Sequence, residues 1–219
     1  MAWLAVIAAI ATLDYAARFA NTGPERPDAL FRWSVAIGTI FIDTIVLVLM
    51  LLIARGLPLR DAFALRRPVS WPGAAKIAGL ALLATYTTSI VIELTVGHAG
   101  REQAMPSFWD AARVTPFVAN GLVIAVFVPI VEESMCRGIG FALLERWGEG
   151  IAIAGTAVAF ALAHGAVTDL PWVLVTGLGL GVLRARSRSL FPCIALHGTI
   201  NGVAVLAAAL ASASRLGAG

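Results

Sequence analysis

Polar positions along this chain are sparse and grouped, and between them lie seven apolar stretches, at about 1–20, 35–54, 73–97, 117–146, 150–168, 172–183 and 190–213. A helix needs about 20 apolar residues to cross the hydrocarbon core of a bilayer. The pattern therefore predicts an all-α polytopic membrane bundle of about seven transmembrane helices. The first stretch has no basic leader, carries Asp14 and Arg18, and is followed by further spans. It reads as a retained helix and not as a cleaved signal peptide. The sixth, WVLVTGLGLGVL, is short and glycine-rich, and is expected to be thin or partly re-entrant.

All six tryptophans, Trp3, Trp33, Trp71, Trp109, Trp147 and Trp172, fall at or just beyond a span end. Indoles favour the membrane–water interface, so each is expected to be an interfacial anchor. Orientation follows from the arginines. Arg55, Arg60, Arg66 and Arg67 lie between spans two and three, Arg146 between four and five, and Arg184, Arg186 and Arg188 between six and seven. These loops share one side, and the positive-inside rule makes it the cytoplasmic side, with the amino terminus inside as well.

Composition sharpens this picture. Of 219 residues, 59% are hydrophobic and only 13% charged, against about 25% charged in ordinary globular chains. Mean hydropathy is +0.88. A secreted disulfide scaffold, a disordered tail and a nucleic-acid binder are excluded. The net charge of +3 does not alter that, because the basic residues are scattered through connecting segments. Cys136 and Cys193 lie within apolar runs and read as small buried residues with no disulfide between them. No internal repeat is visible, which argues against a proton-coupled carrier built from two related halves. Residues 1–219 read as one integral membrane domain, with the polar chemistry concentrated in a core at about 114–213.

Ionisable groups inside a span are costly and are functional suspects by default. PIVEESMCRGIG places Glu132, Glu133 and Arg137 close together after Pro129. Glu133 and Arg137 are spaced i,i+4 and can pair on one helix face, whereas Glu132 is rotated about 100° away and lacks a local cation. AFALAHG brings Phe160 and His164, and ALHGTIN brings His197 and Asn201 on one face. Counted from Arg146, Glu149 and Arg188 at about 1.5 Å per residue, Glu132, His164 and Asn201 lie roughly 21, 22 and 20 Å deep, with His197 about 6 Å lower. Three helices thus carry polar residues to nearly one layer. A carboxylate and an imidazole facing one water form a general-base pair. A second imidazole and a carboxamide can donate to an oxyanion.

EESMCR, AFALAH and HGTIN fit EExxxR, FxxxH and HxxxN motifs in that order. This resembles the CPBP family of CAAX proteases and bacteriocin-processing enzymes, also called Abi, which includes the type II prenyl endopeptidases. The similar portion runs from about Pro129 to Asn201, and the LRRP of Leu65 to Pro68 is similar to the family's preceding loop. The resemblance implies an intramembrane endopeptidase of glutamic type, with Glu132 as base, His164 helping to activate water, and His197 and Asn201 as the oxyanion site. Glu133, Arg137 and Phe160 would support that geometry. It implies no cofactor, with a zinc-dependent metalloprotease as the alternative, although HExxH is absent. The expected partners are the lipid bilayer and a membrane-anchored or lipid-modified protein or peptide substrate. The alanine- and arginine-rich composition suggests a bacterial inner membrane.

Other readings stand beside these. The chain could be a non-catalytic membrane immunity or binding protein that keeps the polar cluster as a structural core. Asp43 could bond Thr39, Thr44 or a neighbouring helix. Thr85–Ser89 and the Gly177/Gly181 pair read as interhelical packing. His98, at a loop edge, is given no role. A cysteine nucleophile at Cys136 is disfavoured, because a thiolate would stand beside two carboxylates.

Overall fold

A computed structural model of the chain describes residues 2–20, 28–97 and 109–216; His98 lies outside them. The described residues form helices with no strand, as the apolar pattern predicts. The principal helices are α1 (Ala2–Ala20), α2 (Trp33–Ile53), α3 (Trp71–Val96), α4 (Ala111–Glu145), α5 (Glu149–Leu162), α6 (Leu170–Ser187) and α7 (Phe191–Leu216). A single helical turn, Leu59–Ala62, lies between α2 and α3.

Five of these helices, α1, α2, α3, α4 and α7, are long and apolar enough to cross a membrane. The chain is an integral membrane protein. The expectation of seven spans meets a difference at α5 and α6. The first has 14 residues, about 21 Å of rise, and the second ends in Arg184 and Arg186. α6 is held between α3 and α5, while α5 keeps an exposed apolar face of Ile151, Val158 and Leu162. The glycines of α6 permit this: a Cβ on Gly177 would meet the Ala157 backbone at 3.1 Å, and one on Gly179 would meet the Ala81 Cβ at 2.7 Å. What reads as a thin or re-entrant segment is an unbroken helix of 18 residues. Its glycines serve close packing. Thr85 and Thr176 join α3 to α6 through their hydroxyls at 3.2 Å.

The outer surfaces of α2 and α3 expose Ile37, Phe41, Leu52, Leu83, Ile90 and Leu94. Large apolar side chains in this arrangement are solvated by lipid, not water. Local chemistry fixes the helix ends. The Ser70 hydroxyl accepts from the Gly73 amide at 3.1 Å to start α3, and Gly97, at φ 72°, closes it in the left-handed conformation.

The arginine-bearing loops expected on one side do meet. The Val69 amide donates to Ser187 O at 3.0 Å, the Leu190 amide to Ala64 O at 3.1 Å, and the Ser189 hydroxyl to Arg66 O at 2.5 Å. Trp33, Trp71 and Trp147 are more than half exposed, as interfacial anchors should be. Trp3 departs from that expectation. It is buried, and its Nε1 donates to Met135 O at 2.9 Å. A ring near a chain end can serve as core when a helix crosses over it.

Candidate active site

The site is built on an irregular α4. Its backbone widens to π geometry at Val123–Phe127 and again at Ser134–Gly140, and Gly138 departs from helical angles at φ −79°, ψ −105°. A Cβ on Gly138 would lie 2.7 Å from the Phe63 ring, so only glycine lets that ring reach the bend. Widened turns leave carbonyls without their usual amides. Arg184 Nε donates to Arg137 O at 2.9 Å, and Asn201 Nδ2 donates to Ile124 O at 3.0 Å. Two side chains from α6 and α7 thus bond to carbonyls within the two irregular stretches.

The i,i+4 pair expected from the sequence is present and fully buried. Arg137 Nη1 donates to Glu133 Oε1 at 3.0 Å. Arg137 also donates from Nη2 to Gly177 O at 2.7 Å, and its guanidinium lies 4.6 Å from the centroid of the Phe160 ring. Phe160 touches both imidazoles as well, at centroid distances of 4.4 Å to His164 and 5.4 Å to His197. It packs the centre of the site.

Glu132, on the adjacent helix face, has no such cation. Its Oε2 lies 3.8 Å from His164 Nε2 and 3.8 Å from His197 Nε2, and accepts no hydrogen bond. The structure therefore brings Glu132 and His164 together, as the estimated depths predict, and adds His197, which those depths set about 6 Å lower. One boundary differs. His164 does not lie in a span but in the turn after α5, and its Nδ1 bonds back to Phe160 O at 2.7 Å. The turn is completed by Gly165 at φ 57°, where a Cβ would meet Asp14 at 3.0 Å.

The partners fix both tautomers. A carbonyl can only accept, so His164 Nδ1 carries a proton and donates to Phe160 O. Glu133, ionised against Arg137, accepts from His197 Nδ1 at 2.9 Å. In their neutral forms both rings consequently turn an unprotonated Nε2 toward Glu132. His197 can donate from Nε2 only as an imidazolium, whose charge Glu133 would face.

A cleft of about 230 Å³ opens onto this cluster, lined by Glu132, His164, Asp14, Asp43, Thr39 and apolar side chains of α1 and α2. On the far side of His164 is a cavity of about 20 Å³, bounded by His164, His197, Asn201, Thr176 and Trp172. That volume suits a single oxygen-sized group. Asn201 borders this second space and not the cleft, so the expected set divides between two faces of His164. Asp43 bears on the cleft in a way the sequence reading missed. Thr44 bonds Ile40 O at 2.6 Å, while Asp43 Oδ2 is buried with no hydrogen-bond partner. The signal was available: a carboxylate in the middle of FIDTIV has to face something polar.

Zinc requires three or four donors at about 2.0–2.2 Å. Among the described residues, no group of three or more His, Cys, Asp or Glu side chains stands at the spacing of a metal-ion site, Glu132 Oε2 lying 3.8 Å from each imidazole Nε2. Cys136 and Cys193 are both free and buried.

Helical fold and buried Glu–His cluster together define an integral membrane protein with a polar centre reached from a cleft. Residues 114–203 match the family described as type II CAAX prenyl endopeptidase Rce1-like, the family group suggested by the three motifs. That range takes in nearly all of α4, then α5 and α6 and the first half of α7, and contains Glu132, His164, His197 and Asn201. No curated protein and no solved structure gives a significant match to the chain.

Proposed function

We propose that this protein is an intramembrane endopeptidase that hydrolyses a peptide bond of a membrane-anchored or lipid-modified substrate, using water activated by Glu132 and His164. The observation that carries the reading is the placement of Glu132 Oε2 at 3.8 Å from two imidazole Nε2 atoms beside an open cleft. It agrees with the endopeptidase family matched by this segment.

A water about 2.8 Å from both Glu132 Oε2 and His164 Nε2 fits a pair of acceptors at that separation. Glu132 takes one proton while the bare Nε2 of His164 accepts the other O–H and orients the lone pair. The water oxygen attacks the carbonyl carbon, and the negative charge moves to the carbonyl oxygen. His197, protonated at Nε2 and backed by Glu133, donates to that oxyanion, with the second N–H of Asn201 beside it. Glu132 then returns its proton to the departing nitrogen. The C–N bond breaks, leaving one carboxyl and one amine product.

Glu133 and Arg137 position His197 and neutralise each other. We place the protein in a bacterial inner membrane with its joined arginine loops and amino terminus on the cytoplasmic side, following the charge distribution.

The test is cleavage of lipid-anchored peptides by the full chain in liposomes, read by mass spectrometry. Wild type should cleave, and folded Glu132→Gln and His164→Ala variants should not. Full cleavage by both variants would overturn the assignment. Loss of wild-type activity to a strong zinc chelator, with recovery on adding zinc, would replace it with a metal-dependent mechanism. Binding of a membrane protein without cleavage would point to the non-catalytic immunity or binding role.

A further inference from the structure

The cleft has a wall that hydrolysis itself does not use. Asp43 lines it from α2, in the same space as Glu132 and His164, and Asp14 lines it from α1. Asp43 Oδ2 is shut off from solvent yet accepts no hydrogen bond. A buried carboxylate oxygen without a donor is expensive, and one that lines a cleft can be satisfied by a water, an ion or a ligand entering there. The buried Arg137 of α4 is committed elsewhere, since it bonds Glu133 and Gly177 O, and it does not line the cleft.

The wall's shape narrows the ligand. Among the described residues these acids do not converge as the ligand set of a metal ion. Ile10, Ile42 and Val46 complete the same wall. Acids spread over an apolar surface suit an extended organic cation, whose methylene stem lies on the aliphatic side chains while its charged nitrogen meets the carboxylate. The cleft, about 230 Å³, has room for one such side chain beside a backbone carbonyl at Glu132.

We infer that Asp43 is a specificity-determining residue that holds a cationic nitrogen of the substrate next to the scissile bond. That nitrogen belongs to a lysine or arginine side chain or to a free α-amine. The inference rests on the endopeptidase reading of the same cleft and adds the substrate's charge to it.

The experiment uses the full chain in liposomes and lipid-anchored peptides differing at one position. Lysine, arginine, norleucine or glutamine is walked along either side of the scissile bond, with the amino terminus free or acetylated. In wild type, kcat/KM for a basic residue at one position should exceed that for norleucine by at least about tenfold. In Asp43→Asn that ratio should fall close to one, and in Asp43→Glu it should persist. Acetylation abolishes the preference if the nitrogen is the α-amine and leaves it intact if it is a side chain. Equal rates for basic and neutral peptides in wild type, or an unchanged ratio in Asp43→Asn, would overturn the inference.

If wild type cleaves no peptide, the endopeptidase reading fails separately. Binding of fluorescent lysine and norleucine lipopeptides to wild type and Asp43→Asn then decides. Tighter binding of the lysine peptide, lost in Asp43→Asn, supports the inference, and equal binding overturns it.

Discussion

His197 Nδ1 lies 2.9 Å from Glu133 Oε1, and this bond determines which nitrogen of the imidazole faces Glu132. The two neighbouring glutamates are thereby given different work. One is held between Arg137 and His197, and the other is left without a hydrogen-bond partner.

Glu133→Gln should be a stability variant. It removes the counter-charge of a fully buried guanidinium, and breaking a buried pair from one side costs about 3–5 kcal/mol. Thermal unfolding in detergent should show a large fall in Tm. Arg137→Lys should share part of that loss, because an ammonium cannot span Glu133 and Gly177 O in the guanidinium's planar geometry.

Glu132→Gln should behave in the opposite way. No hydrogen bond is lost, so Tm should stay near wild type, while peptide cleavage falls by about 10²–10⁴-fold as expected for a general base. Equal damage to stability and function at this position would instead indicate a structural polar core.

Asn201→Ala should lower kcat by about 10²–10³-fold with little change in KM, the signature of a group used at the oxyanion stage. It also strips Ile124 O of its donor. Measuring kcat and Tm on the same variant separates the two effects, since loss of the Ile124 O bond lowers Tm and loss of the oxyanion donor lowers kcat.

Much of this was legible in the sequence. The shared depth of Glu132 and His164 follows from helical rise, because distance along a helix is nearly proportional to residue number, whereas the same count set His197 too low. The Glu133–Arg137 pair follows from i,i+4 spacing. What sequence could not give was azimuth. Nothing local says that His197 turns one nitrogen to Glu133, or that Asn201 looks into a separate space. The role of Trp3 was hidden for the same reason, since burial of a terminal ring depends on which helix crosses it. The length of α6 was obscured by its glycines, which imitate a breaker in sequence and act as contact surface in the fold.

Gly140 gives a prediction about the widened turn. A Cβ there would lie 2.5 Å from the Trp3 ring and 2.8 Å from Met135 O. Gly140→Ala should cost about 1–3 kcal/mol through overpacking. It should also alter the emission of Trp3, read against a Trp3→Phe control.

A last prediction concerns the loop side opposite the joined arginine loops. The Arg32 guanidinium holds the Asp28 carboxyl below its ordinary range, with Arg113 adding to the effect, and Arg113 does the same to Asp110. The bonds are Arg32 Nε to Asp28 at 2.9 Å and Arg113 Nε to Asp110 at 2.6 Å. Depressed carboxyls contribute stability above their unfolded value, about 3.9, and lose it as pH falls through the lower folded value. Hydrogen-exchange protection factors at residues 28–33 and 109–114, taken relative to the intrinsic rate at each pH, should therefore be high at neutral pH and fall below about pH 4. Asp28→Asn should flatten that dependence, and added salt should weaken the clamp.

Trp3 and Met135 are separated by 132 positions along the chain, yet joined by a buried hydrogen bond. Because synthesis proceeds from the amino terminus, α1 enters the bilayer long before its partner exists. Until then its indole N–H must find a provisional acceptor among lipid headgroups or water. Closure of α1 against the bend in α4 is thus a late event in biogenesis. Asp14 and Ile10, which α1 contributes to the cleft, arrive only with that closure. A nascent chain paused before α4 emerges would lack that wall, so the cleft acquires its final shape only as the bundle is completed.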